Sequence, residues 1–368
     1  MVTLVTLMLG KCGLMNMIER KSLRDISWQV DEKTYRADPA LSYSTLSRYE
    51  REGFNNLDKL FDRIESPSLT FGSAVDAIMT GGDEEFNANF MVADFPALPD
   101  AVVLIVKTVF AAYKDKYTDI RDIPNNLLLS AISGISWNNH WRPDTRANKI
   151  KEDGEVYYRL LYIAEDKTVL NTPAYNDVCS TVSKLKSSNA TRFYFEEDSP
   201  FDDNIERLYQ LKFKAVLNGV PYRCMADELI VFHKEKVVVP IDLKTSSKPE
   251  WDFFKSFLEW RYDIQARLYW RIIRHVMDQD PYFKDFKLAD YNFIVANKKT
   301  LVPLVWRFSF TTDISEVITF RGGSIVLRDP EVIGKELFDY LQKRPPVPNG
   351  IELTKPNDIV KWIESYDR

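Results

Sequence analysis

Residues 227–269 constrain the fold of this 368-residue chain more than any other stretch. They read DELIVFHKEKVVVPIDLKTSSKPEWDFFKSFLEWRYDIQARLY. Leu229 to Phe232 and Val237 to Val239 are two β-branched and aromatic runs joined by the polar turn His233-Lys234-Glu235-Lys236, which predicts a hairpin. The second strand runs on through Pro240 and Ile241 into Asp242-Leu243-Lys244. Side chains two apart on a strand share a face, so Asp242 and Lys244 converge while Ile241 and Leu243 point the other way. Asp227 opens the first strand and lies across the hairpin from that end of its partner. Two carboxylates and a lysine there suit a hard divalent ion and a water held beside a phosphate. The acid-x-Lys triplet is common, recurring at Glu19-Lys21, Asp31-Lys33, Glu165-Lys167 and Asp285-Lys287, where an ordinary surface ion pair is the natural reading. The apolar lead-in, the Asp227 arm and the following helix set Asp242-Lys244 apart.

That helix is predicted from about Pro249 to about Met277, with Ser246 or Ser247 available as a cap and Glu250 and Asp252 favourable near its start. Phe257, Ile264, Leu268 and Ile272 form an apolar stripe at amphipathic spacing. Beside it, Arg261, Gln265 and Tyr269 follow one another at strict i+4 spacing. Such a line either contacts a phosphate backbone and positions a water, or is a polar helix flank.

Asp227, then Asp242-Leu243-Lys244, then Gln265-x-x-x-Tyr269 together resemble the PD-(D/E)XK nuclease superfamily, in its RecB/RecE-like, phage-type exonuclease branch. A further element, aromatic-Gly-x-x-apolar-His on an upstream helix, is matched by Phe71-Gly72-Ser73-Ala74-Val75-Asp76 except at its last position. Asp76 stands for the usual histidine and is a competent ligand for Mg²⁺ or Mn²⁺. Relatives carry a glutamate on the first strand of the sheet. Here Gln210 stands at that place and Glu206 falls one turn early. The resemblance covers about a third of the chain.

The resemblance implies an α/β fold with a restriction-endonuclease-like core, a central mixed β-sheet flanked by helices, and a helical insertion. It implies a metal-dependent DNA exonuclease. Asp227, Asp242, the Leu243 carbonyl and Asp76 would hold one or two Mg²⁺ or Mn²⁺ ions. Lys244 would orient and help deprotonate the attacking water, and Gln265 would position that water or a ligand. Tyr269 and Arg261 would face the nucleic-acid backbone. Ser44, in a Ser-x-Ser opening similar to the start of the family's core, would offer a phosphate contact at a helix N-terminus. A ring-shaped homo-oligomer and a single-strand annealing protein as partner follow from the same resemblance. Alternatives are an endonuclease or helicase-associated nuclease of the same fold, or a non-catalytic nucleic-acid-binding module that has kept it. A degenerate module usually loses the acid or the lysine of the triplet, and both are present.

The expected divisions are a loosely packed or disordered lead-in (1–39), a nuclease core (40–310) with a helical insertion at about 83–200, and a C-terminal helical extension (311–368). A net charge of −5 and a pI near 5.5 exclude a generally basic nucleic-acid binder, though not an enzyme whose positive charge is confined to a groove. Cys12, Cys179 and Cys224 are too few and too far apart for a zinc site, a disulfide framework or an iron–sulfur cluster, and fit a reducing cytoplasm, which the resemblance implies is bacterial or that of a phage-infected host. The apolar opening MVTLVTLMLG is broken by Lys11, too short for a membrane span and without the basic start of a secretory signal. Within the insertion, Val102–Tyr117, Asn125–Ile132 and Ala174–Lys186 are predicted helices. The basic, aromatic Trp137–Glu152 segment is predicted as a solvated loop, with DNA contact as the second reading.

Overall fold

Asn218 and Gly219 turn the chain back on itself with φ of 49° and 78°. This is the two-residue geometry that matches strand twist, and it favours asparagine and glycine because both positions need positive φ. Two thirteen-residue strands flank it and pair antiparallel from Leu217↔Val220 to Ile205↔Phe232. The computed structural model describes residues 20–53, 57–61, 66–199, 201–309, 316–320 and 323–342. Readings that involve Cys12, the apolar opening stretch or residues 343–368 fall outside them.

In chain order the first elements are α1 (Glu32–Ala37), α2 (Tyr43–Glu52), α3 (Pro67–Asn89), β1 (Phe90–Val92), α4 (Asp100–Tyr113), α5 (Asn125–Ala131), α6 (Pro143–Ala164), β2 (Thr168–Leu170) and α7 (Thr172–Ser187). Then come β3 (Ile205–Leu217), β4 (Val220–Phe232), β5 (Val237–Ser246), α8 (Phe253–Glu259), α9 (Tyr262–Asp278), β6 (Lys287–Leu288), β7 (Tyr291–Asn297) and β8 (Pro303–Phe308). A hairpin of β9 (Glu316–Phe320) and β10 (Gly323–Leu327) precedes α10 (Pro330–Gln342). The fold is mixed α/β. The chain divides into two units, residues 1–63, 193–295 and 304–368 in one, residues 64–192 and 296–303 in the other.

The first unit is built on a sheet of order β3-β4-β5-β7-β8, with β6 added beside β5. β4 runs antiparallel to both of its neighbours, β3 and β5, and β6 runs parallel to β5, so the sheet is mixed. The predicted β4–β5 hairpin forms with Phe232 opposite Val237 and Glu228 opposite Ile241. Helix α9 packs on β3 and β4, and α10 packs on β4, α2 and α9. Leu229, Val231, Val238, Ile264, Leu268, Ile272 and Phe293 are fully buried in the shared core, each contributing about 1.5–3 kcal/mol on removal from water.

The long helix expected from Pro249 to Met277 is broken. A 3-10 turn (Glu250–Asp252) leads into α8, and Arg261 then takes a left-handed conformation (φ 56°, ψ 47°) before α9 begins. That conformation costs a non-glycine residue about 1–2 kcal/mol. Arg261 offsets it by pairing with Asp263 (2.9 Å) and Glu50 (2.8 Å), all largely out of solvent. Phe257 still reaches the core from the separate helix α8. Part of the expected lead-in is among the described residues. Ser22 and Asp25 form a reciprocal capping box, and Leu23 is wholly buried. The C-terminal helix belongs to this core, with Ile333 and Leu337 fully buried.

In the second unit α4, α5 and α6 enclose their own core of Val102, Val106, Ile120, Leu128, Ile150 and Tyr158. Helix α6 corrects the loop expected at 137–152. Pro143 sits in its first turn, and Ala147, Ile150, Gly154 and Tyr157–Tyr158 recur on its inner face. Gly154 permits the approach to α4, since a Cβ there would stand 2.6 Å from Val106 Cγ2. The predicted α4, α5 and α7 form within a few residues of their expected ends. Helix α3 runs on beyond Thr80 to Asn89 across a kink at Gly82, where φ is 66°. No helix among the described residues is long and apolar enough to cross a membrane.

Candidate active site

The β4–β5 ladder ends at Glu228↔Ile241. One residue further on, Asp227 faces Asp242, and the strand pairing gives way to side-chain bonding: the Leu243 N–H donates to Asp227 Oδ2 at 2.9 Å. The Asp227 carboxylate thus takes the place of a backbone acceptor. Both strands run on past the end of this ladder, β4 reaching back to Val220 and β5 forward to Ser246, and Gln265 in the first turn of α9 meets Asp242. On the far side of β4, the flanking pairs Tyr209↔Glu228 and Leu211↔Ala226 leave Gln210 opposite Asp227, in a left-handed conformation (φ 54°) that interrupts the ladder. The residue standing where relatives carry a glutamate is therefore level with the acidic pair.

Asp242 is 1% exposed and is bonded on both oxygens' sides: the Gln265 amide donates to Oδ1, and the Lys244 ammonium pairs with Oδ2. Burial pushes the Asp242 carboxyl above the ordinary carboxylate range, against the opposing pull of Lys244, Asp227 and Gln265. Burial alone would push Lys244 down, but the charge of Asp242 prevails, followed by Tyr262 and Asp227, and its ammonium is held above the usual lysine value. The Lys244 Nζ also lies 5.0 Å from the centroid of the Tyr262 ring. Gln265 is 4% exposed, and its buried Oε1 has no hydrogen-bond partner among the described residues.

Asp227, Asp242, Leu243, Lys244 and Gln265 are thus brought together, as the sequence spacing predicts. Tyr269 lies one turn beyond Gln265 on α9 and is buried; removal from water, with Tyr35, Cys224, Asp242 and Asp227 among its electrostatic neighbours, holds its hydroxyl protonated. Arg261 precedes α9 instead of continuing its polar line, and its guanidinium is engaged by Asp263 and Glu50. Ser42 occupies the N-cap of α2 without making a capping bond; its hydroxyl lies 2.9 Å from that of the exposed Ser44. Asp76 lies on α3 in the second unit. Among the described residues no three or more His, Cys, Asp or Glu side chains gather as a metal cage. The oxygen donors at the end of the β4–β5 ladder are the two aspartates and the backbone. Glu206 is committed elsewhere, accepting from Ser22 (2.6 Å) and lying 3.1 Å from His233 Nε2.

Two residues were not singled out by sequence. Glu228, next to Asp227, is 2% exposed with both carboxyl oxygens lacking a partner, and burial pushes it up to about 8. No sequence signal separates it from a surface acid. Tyr262 carries the Lys244 ammonium on its ring; its position immediately after Arg261 becomes meaningful only once the helix break is known.

No family model matches the chain, and no curated protein matches it. Among solved structures, one that aligns is a crystal structure from Eubacterium rectale described as a "Putative exonuclease", with 12% sequence identity and a TM-score of 0.41, over 91% of this chain and 98% of that one.

Proposed function

We propose that this protein is a metal-dependent nuclease that hydrolyses phosphodiester bonds in DNA, acting from strand ends. The observation that supports the reading is the convergence of Asp227, Asp242, Lys244 and Gln265 where the β4–β5 ladder ends. The donor set fits a hard divalent cation. It offers two carboxylates and a backbone carbonyl, and the Gln265 Oε1, without a hydrogen-bond partner among the described residues, is a ready acceptor for a water hydrogen. Mg²⁺ characteristically uses one or two carboxylates and keeps several waters, so a fuller cage is not required. Asp227, Asp242 and the Leu243 carbonyl would hold Mg²⁺ or Mn²⁺. Bound there, the ion supplies charge neutralisation at the phosphate and a more acidic water.

The chain's own residues then divide the work. Gln265, fixed to Asp242 by its amide, presents Oε1 to orient the nucleophilic water. Lys244, kept as an ammonium, stabilises the negative charge that builds on the phosphoryl oxygens, a role in which one well-placed donor is worth about 10²–10³ in rate. Asp76 on α3 is proposed as a further oxygen ligand, and Ser44 as a phosphate contact.

End-labelled linear duplex and covalently closed circular DNA, each with Mg²⁺, Mn²⁺ or EDTA, test the reading. Metal-dependent loss of the linear substrate alone is the expected result. Cutting of the circle would make the enzyme an endonuclease, and cleavage of neither would overturn the nuclease reading.

A further inference from the structure

We propose that Tyr262 is a positioning residue for Lys244: its ring face holds the ammonium over the site when Asp242 turns to a divalent ion. This rests on the nuclease reading above. Lysine carries its charge on four rotatable carbons and does not stay in one place unaided. In the protein as described, Asp242 holds it. A cation bound by Asp242 would compete for the same carboxylate and repel the ammonium. The partner left to Lys244 is the Tyr262 ring, with Nζ 5.0 Å from its centroid. A ring attracts the ammonium through its quadrupole without being a carboxylate that a metal could take.

The ring is held in plane by its neighbours. Phe253 stacks near it at 6.1 Å and 21°, Phe293 at 5.7 Å and 30°, while Phe257 meets it edge-on at 6.5 Å and 70°. Tyr43, from the first turn of α2, closes a further side at 6.2 Å, and its hydroxyl donates to the Trp260 carbonyl at 2.8 Å. That bond anchors the residue just before the left-handed Arg261. The break between α8 and α9 therefore has a use: a continuous helix would carry residue 262 around a different path, and the bend at 261 sets Tyr262 beneath Lys244.

The test compares wild type with Tyr262→Leu, which removes the π face, and Tyr262→Phe, which keeps it. Tyr262→Met serves as a second flexible, ring-free variant should the leucine protein not fold. The first readout needs no turnover. In protein carrying ¹³C-labelled lysine, with Mg²⁺ present, the ε-methylene protons of Lys244 should be moved upfield by the ring in wild type and Tyr262→Phe. They should return to the ordinary lysine position in Tyr262→Leu; loss of the signal in Lys244→Ala assigns it. The second readout is cleavage of linear duplex. Tyr262→Leu should lower kcat by roughly tenfold, the range open to a desolvated cation–π contact, with KM and Mn²⁺ dependence unchanged. Tyr262→Phe should restore the rate, and Tyr262→Leu should cost nothing more in a Lys244→Ala background.

A Lys244 signal at the ordinary lysine position in wild type with Mg²⁺, or a loss that adds in full to that of Lys244→Ala, would overturn the proposal and leave the nuclease reading standing. If wild type cleaves no DNA, the nuclease reading falls, while the resonance of Lys244 still decides whether the ring holds it.

Discussion

Helix α9 contributes to two buried charge clusters, and the two differ in character. Toward its start, Asp242 is buried with Lys244 and Gln265, and burial raises its carboxyl. Further along, Asp329 accepts from Arg271 at 2.5 and 2.8 Å and from the wholly buried Arg267 at 3.4 Å. Burial also works against the Asp329 charge, yet the two guanidinium groups and the Glu331 N–H hold its carboxyl below the ordinary range. Arg267 completes the cluster by donating to the Leu327 carbonyl at 3.2 Å. One cluster sets two guanidinium groups against one carboxylate and ties α9 to the start of α10. The other sets one ammonium against a carboxylate that burial holds above its ordinary range, beside an amide oxygen that has no hydrogen-bond partner among the described residues.

The contrast can be broken by mutation. Asp329→Ala leaves two buried arginines short of their carboxylate, and should cost about 3–5 kcal/mol, the usual penalty for stripping one partner from a buried pair. Urea unfolding measures it, and DNA cleavage per folded molecule should stay within about twofold of wild type. A large activity loss with an unchanged unfolding midpoint would reverse the assignment of the two clusters.

Divalent ions sharpen the comparison. Mn²⁺ at about 100 times its Kd should stabilise wild type by about 2.7 kcal/mol, as for any ligand confined to the native state. Calorimetric melting should show the same gain in Asp329→Asn and none in Asp242→Asn. Equal gains in all three proteins would place the ion elsewhere.

The smallest effect is in pH. Asp329 binds its proton more weakly in the folded chain than in the unfolded one. Its contribution is therefore fully present above the unfolded carboxylate value, about 3.9, and is lost as pH falls through the lower folded value. The stability gap between wild type and Asp329→Asn should shrink on acidification below about pH 4 in urea titrations. A gap that widens there would mean the carboxylate is not the charged partner described.

The elements that set up the Asp242 cluster were legible because they depend on local chemistry. Two β-branched runs and a polar turn specify β4 and β5 and bring Asp227 level with Asp242, and i+4 spacing links Gln265 to the apolar stripe of α9. The break at Arg261 was not legible. Nothing in Trp260-Arg261-Tyr262 disfavours a helix, and the left-handed turn is supported by Glu50, distant in sequence, and by the Tyr43 bond to the Trp260 carbonyl. For the same reason the Arg261–Gln265–Tyr269 line loses its first member to a structural ion pair. Helix α6 was hidden by its charged opening turns, whose sparse inner positions, Ala147 and Ile150, gain their meaning from α4 and α5. Ser44 and Asp76 have described positions, but their proposed ligands are not fixed by neighbours in the chain.

The most direct test of the central claim is to measure linear-duplex cleavage and thermal unfolding of Lys244→Ala and Asp329→Asn side by side in Mg²⁺. The account predicts that Lys244→Ala loses about 10²–10³ in rate per folded molecule, while Asp329→Asn melts early and cleaves normally once folded. Cleavage that survives Lys244→Ala would contradict it.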